Sequence, residues 1–270
     1  MPDAQPFNKI TYTLWRQVLK KADVVVQQTD EMLDAVCSYF KLPSHDNMVV
    51  YTNPLDVGQM EEAVATRESP FPPNEISLLC NAALCPRKAQ DLLILAFASL
   101  YRKHGELPLK LYLLGKERVE EETQAISSPF MALRSKAEQG SFKDYLEQLC
   151  KEEKIDDRVV FLGHLNNPYV HVKYCDLFVL ASRREGFPNA VLEANYFERE
   201  IVATESVPAL KRFAAGHGNI TIVPVDDQVK LEQAMLNAIN KIQTRCDEPV
   251  RAKTHNELVD FMMEQLERDS

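Results

Sequence analysis

Glycine is scarce in this sequence, with only 8 glycines among 270 residues, about half the usual share of roughly 7%. An α/β domain that binds a nucleotide normally uses glycines in its tight turns. The sequence also lacks a Gly-x-Gly-x-x-Gly string after any strand-like run. A dehydrogenase-type dinucleotide binder is therefore a poor interpretation.

Basic charge and long apolar runs are also missing. The formal net charge of −9 argues against a nucleic-acid binder, which would carry a basic face, and against binding to an anionic membrane. No apolar run approaches the roughly 20 residues that span a bilayer. Residues 1–17 lack the charged and then apolar pattern of a secretory signal. The sequence predicts no transmembrane segment and no nucleic-acid partner.

No cysteine pattern of a metal site is present. The six cysteines are scattered, and the closest pair, Cys80 and Cys85, has no second pair or histidine pair to complete a zinc spacing. Cys80 ends an apolar run and Cys175 begins one, which predicts buried free thiols. Free thiols are typical of the cytosol, so we expect a cytoplasmic protein with no metal site.

From about residue 77 onward, short apolar runs alternate with amphipathic helical stretches. The strand-like runs are ISLLC (about 77–81), KLYLL (110–114), RVVFL (158–162), DLFVL (176–180), EIVAT (200–204) and NITIV (219–223). Helical patterns cover about 88–104, 142–152, 166–174, 189–198, 207–214 and 228–242. This alternation predicts a Rossmann-like, doubly wound parallel sheet. Ligands bind beyond the carboxyl ends of such strands, which directs attention to the loops after Cys80, Leu114, Leu162 and Leu180.

The sequence divides into three predicted parts. Residues 1–56 form one αβαβ piece, too small to bury its own apolar faces; we expect a protein partner or self-association to cover the surface of residues 8–51. Residues 57–76 have the prolines and charges of a linker. Residues 77–270 form the main domain, with a charged excursion at 117–141 and an amphipathic C-terminal helix that Thr254 would cap.

One loop and helix start carries the strongest chemical pattern. ASRREGFPNAVLEA (181–194) follows a predicted strand and opens a helix. Gly186 permits a tight turn, Pro188 suits the first helical position, and the free N–H groups of the helix start would face a diphosphate. Glu193, just over one turn into the helix, could accept hydrogen bonds from two ribose hydroxyls. Glu185 or Glu193 alone would more simply be a surface or capping residue.

The string EGFPNAVLE, from Glu185 to Glu193, resembles the Glu-x7-Glu motif of retaining family-4 glycosyltransferases, whose consensus runs roughly EGFPNVLLEAMACGKPVVAT. Here the sequence continues EANYFEREIVAT. LLCNAALCPRKAQDLLILAFASL (78–100) resembles the consensus VGRLVPRKGQDLLIEAFALL, and LYLLGK, DDRVVFLGHL, KADVVVQQTDEM and VVYTNPLD are similar to further family elements. The resemblance covers about residue 21 to the end. It implies the donor-binding C-terminal domain of a GT-B fold, preceded in residues 1–56 by a remnant of the N-terminal domain.

The resemblance also implies an activity and a set of site residues. The activity is metal-independent, retaining transfer of a sugar from a UDP- or GDP-linked donor to an unknown acceptor, without a cofactor; the absence of any Asp-x-Asp agrees with it. Glu185 would contact the transferred sugar and Lys88 the donor diphosphate, as the catalytic residues, while Glu193 would hold the ribose. The other implied donor-binding residues are Gly186, Phe187, Pro188, Asn189, Val191, Gly115, His164, Leu165, Ala82 and Ala83.

The sequence departs from the family pattern in three places: at Ala82 and Ala83, at Ala89, and at Phe197 and Glu198. Ala82 and Ala83 stand where the family has Gly-Arg, so the arginine that accompanies Lys88 is missing. Loss of one charge-assisted contact costs about 1.5–3 kcal/mol. Ala89 and Glu198 stand where the family has glycine, and a side chain disfavours the positive φ that glycine permits. These substitutions account for much of the glycine shortage.

Two functions stay open at this point. The first is a glycosyltransferase acting as a fragment or as one subunit of a split enzyme, because the family's active site lies between two Rossmann-like domains. The second is a degenerate, non-catalytic domain that binds a nucleotide sugar or a protein partner. The alanines at 82 and 83 favour the second function, whereas Lys88, Glu185 and Glu193 favour the first.

Overall fold

The computed structural model of the chain describes residues 9–43, 47–118 and 141–245. This part contains a two-stranded sheet near the N-terminus and a six-stranded sheet that forms the main domain. The predicted C-terminal helix and most of the predicted excursion at 117–141 lie outside the described residues. No helix in the described ranges is long and apolar enough to cross a membrane.

The helices and strands alternate along the chain. In order they are α1 (Lys9–Lys21), β1 (Val25–Gln27), α2 (Asp30–Phe40), β2 (Met48–Val50), α3 (Val57–Val64), β3 (Ile76–Asn81), a 3-10 turn (Pro86–Lys88), α4 (Gln90–Lys103), β4 (Leu109–Leu114), α5 (Phe142–Glu152), β5 (Val159–Gly163), α6 (Tyr169–Tyr174), β6 (Leu177–Leu180), α7 (Asn189–Tyr196), β7 (Glu200–Thr204), α8 (Pro208–Ala215), β8 (Ile220–Val223) and α9 (Gln228–Arg245).

The six-stranded sheet confirms the predicted doubly wound architecture. Its strand order is β5-β4-β3-β6-β7-β8, and all neighbouring strands are parallel. The chain winds outward from β3 in one direction through β4 and β5, then returns to the other side of β3 with β6. This reversal opens a crevice beyond the carboxyl ends of β3 and β6. The register pairs Leu78 with Leu177 and Leu79 with Phe178.

The strands of this sheet are apolar throughout because helices cover both of its faces. The central side chains of β3 and β6, including Leu78, Leu79 and Phe178, are completely buried. Helix α4 is buried along most of its length and packs against α9. Each large apolar side chain buried in this way contributes about 1.5–3 kcal/mol. The result is a well-packed base for the loops at the carboxyl ends of the strands.

Among the residues other than glycine with left-handed backbone, two fall at turns where the family pattern has glycine. Ala89, between the 3-10 turn and α4, has a φ of +52°, and Glu198, between α7 and β7, has a φ of +55°. At both positions the sequence has a side chain where the resemblance predicts glycine. The expectation that both turns require positive φ is therefore confirmed.

The predicted buried thiols are also observed. Cys80, Cys85, Cys150 and Cys175 are free and buried in the described part of the chain, whereas Cys37 is partly exposed. Burial raises the pKa of the Cys80 and Cys175 thiols to about 12. Both thiols therefore remain protonated at neutral pH and serve as apolar core groups.

The αβαβ piece at the N-terminus buries little. Its own core cluster consists of Val36, Phe40 and Leu42, with α1 packed across it through Tyr12 and Leu19. The opposite face of α1 and both strands of the small sheet expose large apolar side chains. They are Ile10, Leu14, Trp15, Val18, Val24, Val26, Val49 and Tyr51.

The predicted linker, residues 57–76, contains helix α3. Met60 and Val64 on this helix are buried in the main core. The helix is joined to the main domain by Asn167, whose Nδ2 donates to the Ala63 carbonyl at 2.9 Å, and by Tyr196, whose hydroxyl lies 2.6 Å from Glu61. The sequence predicted a linker rather than a helix here, because the prolines after the helix outweigh its short apolar pattern. The division between domains in this region stays a prediction.

Candidate functional site

A cavity of about 310 Å³ opens at the point where the strand order reverses, beyond the carboxyl ends of β3 and β6. Its location is the one at which open α/β sheets bind ligands. The residues that line it come from the ends of these two strands, the 3-10 turn and the start of α7. They are Asn81, Lys88, Leu180, Glu185, Phe187, Pro188, Asn189, Ala190 and Glu193.

An ion pair at one wall of the cavity joins the two predicted catalytic residues. The Nζ atom of Lys88 lies 2.5 Å from Oε1 of Glu185, and the hydroxyl of Ser182 donates to the same oxygen at 2.7 Å. The Glu185 side chain is only 7% exposed. Because a lysine ammonium has three N–H donors, this contact leaves Lys88 able to donate to a second, anionic group.

A second ion pair fixes the loop that carries Glu185. The Arg183 guanidinium binds both carboxylate oxygens of Asp91, at 3.1 and 3.2 Å, and also donates to the Pro86 carbonyl and to Asp226. The Arg183 amide N–H donates to the Arg87 carbonyl at 2.9 Å. These bonds attach the loop after β6 to the 3-10 turn and to the start of α4. Glu185 and Lys88 are thereby held at a constant separation.

The same loop is also attached to the loop after β7. Thr204 Oγ1 donates to the Ser182 carbonyl at 2.5 Å, and the Glu185 amide donates to the Ser206 carbonyl at 3.3 Å. Both contacts are made at the carboxyl end of the sheet, where β6 and β7 are neighbours. The backbone of the loop that carries Glu185 is therefore also held from the side of β7.

Glu193 lies on α7 and lines the cavity from the helix side. Burial raises the pKa of its carboxyl group above the ordinary value of 4.5. Desolvation is the cause of this shift, so the ionised form gains from any ligand that donates hydrogen bonds to it. Neighbouring hydroxyls of a ribose are donors of that kind.

The start of α7 forms a further wall. The helix begins at Asn189, and Pro188 precedes it as the cap residue with extended backbone; the prediction that Pro188 occupies the first helical position is shifted by one residue. The N–H groups of Asn189 and Ala190 come before the first helical hydrogen bonds and carry the positive end of the helix dipole. They give the cavity a second feature that suits an anion.

The loops after β3, β4 and β5 meet at Gly115. This residue has a φ of +150°, and an added Cβ would lie 2.0 Å from the Ala82 carbonyl oxygen. Its amide donates to the Gly163 carbonyl at 2.8 Å. Gly115 and Ala82 are predicted donor-binding residues; their backbones lie against each other, and neither residue is part of the cavity lining.

The remaining predicted residues lie around the cavity. Ala83 is partly exposed, and its carbonyl accepts from Gln90 Nε2 at 2.9 Å. Val191 is fully buried in the core beneath α7. His164 is exposed and Leu165 is half-buried after β5, outside the residues that line the cavity.

The N-terminal piece contacts the loop of Glu185. A Cβ on Gly186 would lie 2.6 Å from Gln28 Oε1 and 3.4 Å from Met32 Sδ, so a side chain at this position would require the Gln28 side chain to move. In addition, Asn53 Nδ2 lies 3.2 Å from Asn189 Oδ1. The donor loop is therefore situated at the junction of the two sheets.

Several residues of the site were not identified from the sequence. Asn81 directly follows Cys80, so the rule that ligands bind beyond strand ends could have identified it. Ser182, Arg183 and Asp91 act through contacts between distant segments, and no local pattern indicates them. In the ranges that the structure describes, no three His, Cys, Asp or Glu side chains are grouped to hold a metal ion.

The chain is similar in sequence to known proteins. A family model described as "Glycosyl transferases group 1" matches residues 62–252. The chain is 25% identical over 244 residues to an N-acetylgalactosamine-N,N'-diacetylbacillosaminyl-diphospho-undecaprenol 4-alpha-N-acetylgalactosaminyltransferase of Campylobacter jejuni, covering 89% of the chain and 57% of that protein. It is 23% identical over 203 residues to the uncharacterized glycosyltransferase MJ1059 of Methanocaldococcus jannaschii, covering 74% and 44%.

Solved structures share the fold. A glycosyltransferase from Rickettsia africae has a TM-score of 0.63 at 14% identity, covering 90% of this chain and 59% of that one. Anabaena Alr3699/HepE in complex with UDP has a TM-score of 0.63 at 18% identity, covering 89% and 60%. The chain spans about half the length of the curated relatives that it matches.

Proposed function

The chain belongs to the group 1 glycosyl transferases, and from this premise we propose that it binds a nucleoside diphosphate sugar in the cavity and takes part in transfer of the sugar to an acceptor. The observation that carries the proposal is the 2.5 Å contact between Lys88 Nζ and Glu185 Oε1 in the wall of a cavity that Glu193 also lines. One site then contains the three groups that such a donor needs: Lys88 for a phosphate, Glu185 for the sugar and Glu193 for the ribose.

The shape of the site suggests how the donor would lie. The diphosphate would be placed between Lys88 and the open N–H groups of α7, where positive charge is concentrated. The ribose would contact Glu193, and the sugar would lie beside Glu185. UDP is the favoured carrier, with GDP as the alternative, because Alr3699/HepE has been solved in complex with UDP.

The proposed transfer breaks the bond between the anomeric carbon and the diphosphate oxygen. Lys88 stabilises the negative charge that develops on this oxygen, which is the role that a metal ion has in other transferases. An acceptor hydroxyl oxygen forms the new bond to the anomeric carbon, and its proton passes to the departing phosphate. Glu185 holds the sugar in position during the exchange. The proposal requires no cofactor.

A non-catalytic domain is the less favoured alternative. The substitutions at Ala82 and Ala83 support it, since they remove a glycine and an arginine from the loop after β3. Against it, Lys88 and Glu185 are held together by a dense set of hydrogen bonds, and relatives over most of the chain carry the names of transferases. A binding domain without chemistry would have no need of this arrangement.

A further part of the proposal is a polypeptide that covers the exposed apolar surface of the N-terminal piece. Ile10, Leu14 and Val18 are spaced by four residues on one face of α1 and are exposed, as are the paired Val26 and Val49 of the small sheet. A two-stranded parallel sheet is rarely stable without further cover. A second α/β polypeptide that extends this sheet would bury the surface and supply the acceptor side of the site.

Light scattering and tryptophan fluorescence test this cover. Trp15 is the only tryptophan of the chain and lies on the exposed surface, so its emission reports whether the surface is open. A mass above that of one chain, together with blue-shifted emission, would show self-association. A mass of one chain with no binding of an apolar dye would contradict the proposed cover.

The proposed location is the cytosol, which the free thiols support.

Thermal shifts with UDP-, GDP- and ADP-sugars test the donor site. A ligand present at 100 times its Kd should stabilise the folded chain by about 2.7 kcal/mol. We expect this shift for one base and a smaller shift for the others. A matched control is the Lys88→Met variant, which should lose most of the shift. No shift of the unmodified protein with any nucleotide would refute the donor site.

A further inference from the structure

We propose that Arg87 supplies a second positive charge to the donor diphosphate. This inference rests on the proposed function, because it concerns the ligand of the same cavity. Its starting point is that Ala83 brings no charge to the loop after β3, whereas the 3-10 turn presents two cations in succession, Arg87 and Lys88. Arg87 lies near one carboxylate oxygen of Glu185, and Lys88 lies near the other.

The geometry places the two cations on one carboxylate. Arg87 Nη1 lies 3.7 Å from Oε2 of Glu185, while Lys88 Nζ lies 2.5 Å from Oε1. The Arg87 side chain is 24% exposed and that of Lys88 is 17% exposed. Lys88 and Glu185 line the cavity, whereas Arg87 lies outside its lining and adjoins it through the contact with the second oxygen of Glu185.

The balance of charge shows why Lys88 alone is insufficient. A donor diphosphate brings about two negative charges to a wall that already holds the negative charge of Glu185. Lys88 only neutralises that carboxylate, so among these charged side chains no net positive charge is left for the ligand, which then has only the N–H groups at the start of α7. With Arg87 included, the group has a net charge of one positive unit. The planar guanidinium also has several N–H donors that match phosphate oxygens.

The backbone of Arg87 is held in place, which makes the position of its side chain reproducible. Its carbonyl accepts the amide N–H of Arg183 at 2.9 Å, and its Nη1 donates to the Arg184 carbonyl at 3.3 Å. Arg183 is not the second cation, because its guanidinium is bound by Asp91 and Asp226 and its side chain is 8% exposed. Arg184 has an exposed side chain and serves as a matched control.

The test compares a nucleoside diphosphate with the nucleoside of the same base. Calorimetric titrations of UDP and uridine, or of GDP and guanosine if the protein prefers that base, would be run on the unmodified chain, Arg87→Gln and Arg184→Gln. Arg87→Gln should weaken diphosphate binding about ten- to hundredfold, the typical worth of a hydrogen bond to a charged group. Nucleoside binding, which reports an intact fold, should change by less than about twofold, and Arg184→Gln should change neither affinity beyond that.

A conservative variant separates charge from shape. Arg87→Lys keeps the charge and should recover part of the affinity for the diphosphate; an affinity equal to that of Arg87→Gln would overturn the proposal. Unchanged diphosphate binding in Arg87→Gln would overturn it also, as would an equal loss of nucleoside binding. If the unmodified chain bound no nucleotide at all, the proposed function itself would fail, which is a different outcome from the failure of Arg87 alone.

Discussion

The ammonium of Lys88 contacts the carboxylate of Glu185 at 2.5 Å across 97 residues of sequence. Lys88 follows β3 and Glu185 follows β6, and the two strands are neighbours only because the chain returns to the middle of the sheet. The fold itself therefore brings the two groups together. Groups that are already in place when a reaction begins need no reorganisation, which is the main source of electrostatic catalysis.

We expect Lys88 and Glu185 to be coupled in stability. Lys88→Met leaves the largely buried carboxylate with Ser182 and Arg87 alone, which should lower the free energy of unfolding by about 1–3 kcal/mol. In the double variant with Glu185→Gln, the unbalanced negative charge is removed, so part of the lost free energy of unfolding should be restored. Urea unfolding of the two single variants and the double variant measures the coupling.

The control for this cycle is the exposed pair Lys211 and Glu205, whose side chains are 64% and 36% exposed. Lys211→Met should change the free energy of unfolding by less than about 1 kcal/mol. Strict additivity of Lys88→Met and Glu185→Gln would show that the contact in the cavity wall contributes nothing.

Glu193 should make the unliganded protein less stable at neutral pH. Burial raises the pKa of this carboxyl above its ordinary 4.5, so its favourable contribution to folding is complete below pH 4.5 and is lost as the pH rises through the raised pKa. Glu193→Gln stays neutral at every pH. The variant should therefore be the more stable protein at pH 7, and its advantage should shrink as the pH falls toward 4.5.

Urea midpoints at several pH values measure this effect. Glu68→Gln, at an exposed glutamate, is the control and should alter stability by no more than about 0.5 kcal/mol at each pH. An advantage of Glu193→Gln that does not change with pH would mean that ionisation of Glu193 is not its cause.

The two glutamates should differ in the step that they affect. Glu193→Ala removes the predicted ribose contact and should weaken nucleotide binding about tenfold or more, because it deletes hydrogen bonds to a charged acceptor. Glu185→Ala should mainly slow sugar transfer, with a smaller effect on the Kd of the nucleotide. Titration with the nucleotide and a transfer assay on the complete enzyme separate the two. Equal effects on binding and transfer in both variants would contradict the assigned roles.

The left-handed turn at Glu198 should be a site for stabilisation. A residue other than glycine at a φ of +55° destabilises the folded state by roughly 1–2 kcal/mol. Glycine removes this strain, but its greater backbone entropy in the unfolded chain offsets part of the gain. Glu198→Gly should therefore raise the free energy of unfolding by about 1 kcal/mol relative to Glu198→Ala, which loses the same side-chain contacts and keeps the strain. Thermal unfolding compares the pair, and equal stabilities would show that the turn is unstrained.

Gly115 should tolerate no side chain. In Gly115→Ala the new Cβ would overlap the Ala82 carbonyl oxygen at 2.0 Å, which forces apart the loops after β3 and β4. We expect a loss of more than about 2 kcal/mol and weaker nucleotide binding. Gly218→Ala, where an added Cβ has no atom within 4 Å, is the control and should be nearly neutral. A stable Gly115→Ala variant would mean that these loops separate easily.

Much of the main domain was predictable from local pattern. All six predicted strands of the main sheet are present, and the helices from α5 to α9 begin within three residues of the predicted positions. Apolar runs and helical periodicity depend on near neighbours in sequence, so they survive without knowledge of the fold. Helix α3 was missed because it is eight residues long and is followed by several prolines, so its signal is weak.

By itself, the sequence determined the class of fold, the buried strands and the motif that contains Glu185 and Glu193, because these depend on residue order over short distances. It also indicated that Ala89 and Glu198 occupy turns that favour glycine. Only the tertiary structure decided that Lys88 binds Glu185, that Arg183 joins Asp91, and that Gln28 limits the space at Gly186. Such contacts depend on which strands become neighbours in the sheet, and that order arises from the packing of the whole chain.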